Sequence, residues 1–231
     1  MRWLDGITDS MDMGVKAYEP ENTSISSGQV LMRPYEYEEG RLIVQEMTDL
    51  LVLDLVDKGL VCNAVVLTIS YDNENLADPE RLANYTGDIS VDYYGRLAPA
   101  HAHGTASFGE YTSSTKKIIG AMMELYDHIV DPSLLVRRVN VVAVNTLKES
   151  EAPGRAGSSE NFEQLDLFTD YAALEAQREE ERQEEEKEKQ LQHAVLDIKK
   201  KFGKNAILKG MNLQKGAMTM ERNNQVGGHK A

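Results

Sequence analysis

Between Ser24 and Lys148 the apolar and polar positions follow two periods, and these exchange in an orderly way. SISSGQVL (24–31) reads as a short polar strand, stopped at Pro34. The next stretch, YEYEEGRLIVQEMTDLLVLDLVDKG, carries Ile43, Val44, Met47, Leu50, Leu51 and Leu55 at helical spacing, with acids in its first turn and Gly59 after its end. AVVLTISYD (64–72) then alternates, with Val65, Leu67, Ile69 and Tyr71 on one face and Val66, Thr68 and Ser70 on the other. Residues 73–96, rich in Asp, Asn and Gly, predict a long loop with a candidate hairpin around GDISVDYYGR. HGTASFGEY (103–111) predicts a third strand. Behind it TSST, a run of N-cap residues, opens a helix with Ile118, Ile119, Met122, Leu125, Tyr126 and Ile129 on one stripe, ended by Asp131-Pro132. In LLVRRVNVVAVN (134–145) Val139, Val141 and Ala143 oppose Arg138 and Asn140, the pattern of a last strand.

The order β-α-β-β-α-β predicts an α+β fold, a four-stranded sheet with two helices on a single face. The uncovered face then carries Thr68, Ser70, Arg138, Asn140 and hydroxyls of strands one and three, so it is polar and in places basic. Such a face is either plain solvated surface, common in antiparallel sheets, or a contact surface.

Around the domain at 24–148 the chain changes character. Residues 1–23 read as a non-domain segment, and 149–172 as a linker that holds ESEAPGRAGSSE and then EQLDLFTDY. Residues 173–203 predict one long charged helix, supported by pairs such as Glu185 with Lys189 and Glu179 with Arg182. Its apolar content is confined to Leu191, Val195 and Ile198, which predicts a solvated helix or a weak docking segment rather than a coiled coil. The glycine-punctuated, moderately basic stretch 204–231 predicts little fixed structure.

Composition changes this picture in three places. A hydrophobic share of 41% over 231 residues is enough for a core, and no apolar run reaches the length of a membrane span. MRWLDGITDSMDM lacks the basic and apolar regions of a signal peptide, so the expected address is the cytoplasm. The formal net charge of −13 argues against nucleic acid on average, but the charge is segregated: glutamates crowd 175–188, while Lys116-Lys117, Arg137-Arg138 and Lys199-Lys200-Lys201 are basic. The single cysteine, Cys62, excludes an internal disulfide and a Cys-based zinc site and reads as a small buried apolar residue.

Candidate chemistry is sparse. His101 and His103 could share one side of an extended segment but lack a third ligand nearby, and Asp5, Asp9 and Asp12 have helical spacing in an unsupported terminal stretch. No phosphate loop or nucleophile elbow is present; no catalytic residue and no metal site is assigned, and the chain does not read as a complete enzyme. QLDLF differs in kind. Gln164 can hydrogen-bond a rim, while Leu165 and the Leu167-Phe168 pair, around Asp166, can fill an apolar pocket, which is how a short linear peptide docks; the alternative is a turn folded back on its own domain.

SISSGQVL, LIVQEMTDLLVLDLVDKGLV, PAHAHGT, YTSSTKKII, LYDHIVDPSLLVRRVN, EQLDLFTDY, IKKKFGKNAILKGMNL and the terminal GGHKA together resemble the C-terminal part of UmuC-like Y-family DNA polymerases of Gram-positive bacteria, from Gly14 to Ala231. The resemblance implies that 24–148 is the little finger domain of a translesion polymerase active in DNA repair and the SOS response. That domain lays its sheet on primer-template or damaged DNA. It also implies that Ser26, Ser27, Thr68, Ser70, Arg137, Arg138 and Asn140 meet phosphates and sugars, and that Gln164, Leu165, Asp166, Leu167 and Phe168 bind the replicative sliding clamp. Ala100 stands where the resemblance implies a lysine. Family members carry palm, fingers and thumb N-terminal to this region, with acidic residues that hold two magnesium ions. None of that matches here, so no cofactor is expected in this chain and Mg2+ only in the absent palm. The expectation is a nucleoid-associated DNA-binding and clamp-tethering region without catalysis of its own, or else an interaction module for a catalytic half supplied in trans.

Overall fold

The structure is a computed structural model that describes residues 24–91, 95–153, 171–226 and 229–230, the side chains of 171–178 and of 225 onward excepted. In chain order it forms β1 (Ile25–Tyr35), α1 (Tyr37–Asp57), β2 (Leu60–Tyr71), the short helices α2 (Glu74–Ala77) and α3 (Pro79–Asn84), and β3 (Ile89–Val91) with β4 (Leu97–Pro99). There follow β5 (Ala102–Thr112), α4 (Thr115–Ile129), β6 (Val136–Val144), β7 (Leu147–Lys148), α5 (Tyr171–Phe202), α6 (Thr219–Asn223), β8 (Gln225–Val226) and β9 (His229–Lys230). The long strands stand in the order β1-β6-β2-β5, all antiparallel, and β7 adds a short rung beside the start of β2. This is the α+β sandwich that the periodicity predicts, and the candidate hairpin in the long loop is β3 paired with β4.

α1 and α4 cover one face of the sheet. Val65, Leu67 and Ile69 of β2 and Val139, Val141 and Ala143 of β6 have no exposed surface, and they meet Ile43, Val44, Met47 and Leu55 of α1 and Ile118, Met122 and Tyr126 of α4. The two helices approach closely because position 40 has no side chain: a Cβ on Gly40 would stand 2.8 Å from the Tyr126 hydroxyl, which donates to the Tyr37 carbonyl at 2.8 Å. At the rim Arg41 holds Asp127 through two bonds of 2.7 and 2.9 Å, and the Tyr37 hydroxyl adds a third at 2.9 Å. The Arg41 guanidinium keeps the Asp127 carboxyl below its usual range, while burial and the bond to Asp127 push the Tyr37 phenol up to about 12. α1 stops at Gly59, where φ of +64° suits a residue without Cβ. α4 is capped by Ser114, one of the predicted cap residues, whose Oγ accepts from the Lys117 amide at 3.3 Å. Cys62 is fully buried, as predicted, and burial pushes its thiol up to about 12.

One segment takes the docking form of its two sequence readings, and another departs from its expectation. α5 is long, charged and mostly exposed, yet its C-terminal half is fastened to the domain by charge. Lys189 binds both Glu149 oxygens at 2.8 Å, Lys200 pairs with Asp57, and Glu185 turns to Lys117 at 2.8 Å instead of to its helical neighbour Lys189. The Glu179 and Arg182 pair does form, at 2.7 Å. Beyond α5, residues 204–224 have little regular structure but are fixed in place. Met218 joins the core, and Glu46, a carboxylate only 2% exposed on the inner stripe of α1, accepts from Asn212 Nδ2 at 2.8 Å and from the Met218 amide at 2.7 Å. Lys209 closes on Asp49 at 2.5 Å, and Arg222 reaches Ser27. These contacts were not legible in the apolar pattern because their anchors are polar.

Candidate nucleic-acid interface

Alternation along four strands builds the face that the helices leave open. Its outward positions are Ser26, Gly28, Val30 and Met32 on β1, Arg138, Asn140, Val142 and Val144 on β6, Val66, Thr68 and Ser70 on β2, and His103, Thr105 and Ser107 on β5. Register sorts these into rows across the sheet. One row runs Gly28, Asn140, Thr68, His103; the next runs Val30, Arg138, Ser70. Thr68 Oγ1 and His103 Nδ1 lie 2.9 Å apart within the first row. No acid stands at any of these outward positions.

The basic end of the face comes from a bulge. Tyr71 pairs with Val136 and Ser70 with Arg138, so β6 spends one extra residue, Arg137, against a single step of β2. Val136 and Val139 are fully buried on either side, and both intervening arginines are turned away from the core. Arg137 Nε lies 3.5 Å from Asp72 Oδ2. Arg138 is exposed and has no carboxylate partner among the described residues. Both arginines line a cleft of about 700 Å³ with Ser70, Asp72, Glu74, Arg96 and His101, under the β3–β4 hairpin.

Of the residues singled out in the sequence, Ser26, Thr68, Ser70, Arg138 and Asn140 lie together on the open face, and Arg137 lies at its edge in the cleft. Ser27 does not join them. It pairs with Val141, a core residue, and so points to the helix side, where the Arg222 guanidinium donates to its hydroxyl. Ser26 and Ser27 are neighbours in a strand and cannot share a face. His103 is the residue that sequence reasoning missed here; it was weighed as half of a metal pair, whereas strand parity with Thr105 and Ser107 would have placed it on the open face. Among the described residues no group of three His, Cys, Asp or Glu could hold a metal ion, and no helix is long and apolar enough to cross a membrane. Gln164, Leu165, Asp166, Leu167 and Phe168, together with Asp5, Asp9 and Asp12, lie outside the described residues.

The fold is thus an α+β sandwich of which one sheet face is left uncovered by the described residues, largely polar, without an acid at the outward strand positions named, and cationic at one end. A family model described as the impB/mucB/samB family C-terminal domain matches residues 22–167, and the chain belongs to that family, the C-terminal region of UmuC-like Y-family polymerases. Among curated proteins none matches the chain.

Proposed function

We propose that this chain holds primer-template DNA for translesion synthesis, laying its open sheet face along the sugar-phosphate backbone, and that residues 164–168 tether it to the replicative sliding clamp. The observation that carries the reading is the open face itself. On a chain of net charge −13 it has, among the described residues, no acid at the outward strand positions, one exposed arginine without a carboxylate partner, and a row of hydroxyl, amide and imidazole groups that can donate to phosphate oxygens. Exposed Val30 and Met32 suit contact with deoxyribose. Backbone contact without base contact is what a polymerase needs when the template base is damaged.

Few cations serve this face, so binding is to be sequence-indifferent with a shallow salt dependence. Fluorescence anisotropy of a labelled primer-template against log salt should give a slope of about −2 to −3, the value for two or three neutralised phosphates. Binding that ignores salt, or that prefers one sequence, contradicts the sheet-face reading. For the tether, titration with purified sliding clamp should saturate and should vanish in the Leu167→Ala, Phe168→Ala double variant. Unchanged affinity in that variant removes QLDLF as the anchor while leaving the DNA reading intact.

A further inference from the structure

α5 lays its acidic half on the first turn of α4. Glu188 accepts from Ser114 Oγ at 2.7 Å and from the Lys116 amide at 3.1 Å, so both its oxygens sit at a helix N-terminus. Glu185 meets Lys117 Nζ at 2.8 Å, where Lys117 also holds Glu110 of β5 at 2.5 Å, and Glu184 lies 3.6 Å from Lys116 Nζ. Gln192, which is buried, donates to the Ser113 carbonyl and to Thr115 Oγ1, both at 2.9 Å. Acidic side chains of α5 therefore take the Ser114 hydroxyl, the Lys116 amide and both lysine ammoniums in the first turn of α4.

The contact is held by charge and is poorly packed. A groove of about 440 Å³ remains beneath α5, lined by Leu50, Leu53, Leu191, Val195, Ile207 and Leu208. Leu191 is 65% exposed, so the helix buries little apolar surface against the domain. The Lys116–Glu184 pair is exposed on both sides, at 84% and 71%, and pairs of that kind contribute little in water. Such an interface yields to competing ions, and above all to a polyanion. β5, whose outward His103, Thr105 and Ser107 belong to the open face, runs directly into this turn through Thr112, Ser113 and Ser114.

We propose that the first turn of α4, with Ser114, Lys116 and Lys117, is a second nucleic-acid contact surface whose donors α5 keeps paired, the glutamates standing where backbone phosphates bind. DNA that occupies the sheet and wraps the β5 edge displaces α5 and gains these contacts. The inference rests on the reading of this chain as a DNA-holding region, but it concerns a different surface from the sheet rows.

The test uses the full chain, a labelled primer-template duplex and a salt series. In Glu185→Gln, Glu188→Gln the affinity should rise about five- to tenfold and the slope of log K against log salt should steepen by about 1 to 2. Adding Lys116→Ala and Lys117→Ala should return both to the wild-type values. Glu180→Gln, an exposed acid on the same helix with no domain partner among the described residues, shows what loss of one helix acid does away from the contact and should leave the slope unchanged. Hydrogen exchange across residues 184–195 should rise when duplex is added to the wild-type chain. A double variant that behaves like Glu180→Gln, one that binds more weakly, or a gain that survives loss of both lysines overturns the proposal. Failure of the sheet reading is separate: it shows as an Arg138→Glu variant that binds duplex normally, whatever the α5 variants do.

Discussion

Glu46→Ala is expected to destabilise the fold by about 3 kcal/mol and to free residues 204–224 from the domain. Both oxygens of this carboxylate are taken by groups from the C-terminal segment, Asn212 Nδ2 and the Met218 amide, and all three residues are buried. Truncation leaves two buried donors to be satisfied elsewhere, each at a cost of about 1 to 3 kcal/mol. Part of that is regained because a buried carboxylate no longer has to be desolvated. Asn212 Nδ2 keeps its other bond, to Thr219 Oγ1 at 3.0 Å, whereas the Met218 amide loses the acceptor it has. Glu46→Gln retains one acceptor and should lose about half as much. Urea denaturation measures the loss, and limited proteolysis between Lys204 and Asn224 reports the release. An unchanged midpoint with an unchanged digestion pattern would mean that Met218 and the Lys209–Asp49 pair hold the segment without Glu46.

Arg138→Glu should weaken duplex binding by about 100-fold at low salt, equivalent to about 3 kcal/mol, while the thermal midpoint stays within a degree or two. Loss of one charged hydrogen bond to phosphate accounts for about 1.5 to 3 kcal/mol, and the new carboxylate adds repulsion on a face that otherwise has none. Stability is spared because Arg138 stands exposed between Val30 and Ser70 with no carboxylate to abandon among the described residues. Arg138→Gln, which keeps a donor, should lie about tenfold below wild type. Arg41→Gln provides the contrast. It breaks the bidentate hold on Asp127 between α1 and α4 and should lower stability without touching DNA affinity. Anisotropy and thermal melts on the same preparations separate the two, and equal DNA affinity for Arg138→Glu and wild type would refute the assignment of the open face.

The elements that sequence reading found are those made by periodicity. α1, β2, α4 and β6 carry apolar stripes, and burial follows them, full at Ile43, Met47, Leu67, Met122 and Val141 and partial at Leu50, Ile119, Leu125 and Ile129. What escaped it was polar and long-range. Glu46 lies three residues after Ile43 and four before Leu50, on the apolar stripe of α1, and an acid in that place is itself a signal that a distant donor must arrive. Nothing local says that the donor is Asn212. Likewise α5 has the composition of a solvated helix, and its docking depends on Glu188 finding Ser114 and Lys189 finding Glu149, pairings between remote parts of the chain that periodicity does not encode. On the candidate surface Thr68, Ser70, Arg138 and Asn140 are legible from parity alone, whereas Ser27 comes from the resemblance, and parity with Ser26 puts it on the helix side. The bulge that turns both Arg137 and Arg138 away from the core depends on strand pairing, which a single strand's sequence does not contain.

Cys62 has a practical consequence at the bench. It is the chain's only thiol, it has no exposed surface, and its ionisation is held far above neutrality. The thiolate is the species that attacks a disulfide reagent, so at pH 7 this sulfur reacts only when the fold opens around β2. The rate of thiol modification in excess reagent therefore clocks the opening of the sheet, and it should accelerate in step with denaturant. The same silence lets a cysteine introduced on the open face carry a fluorophore or cross-linker alone, with no need to remove the native one.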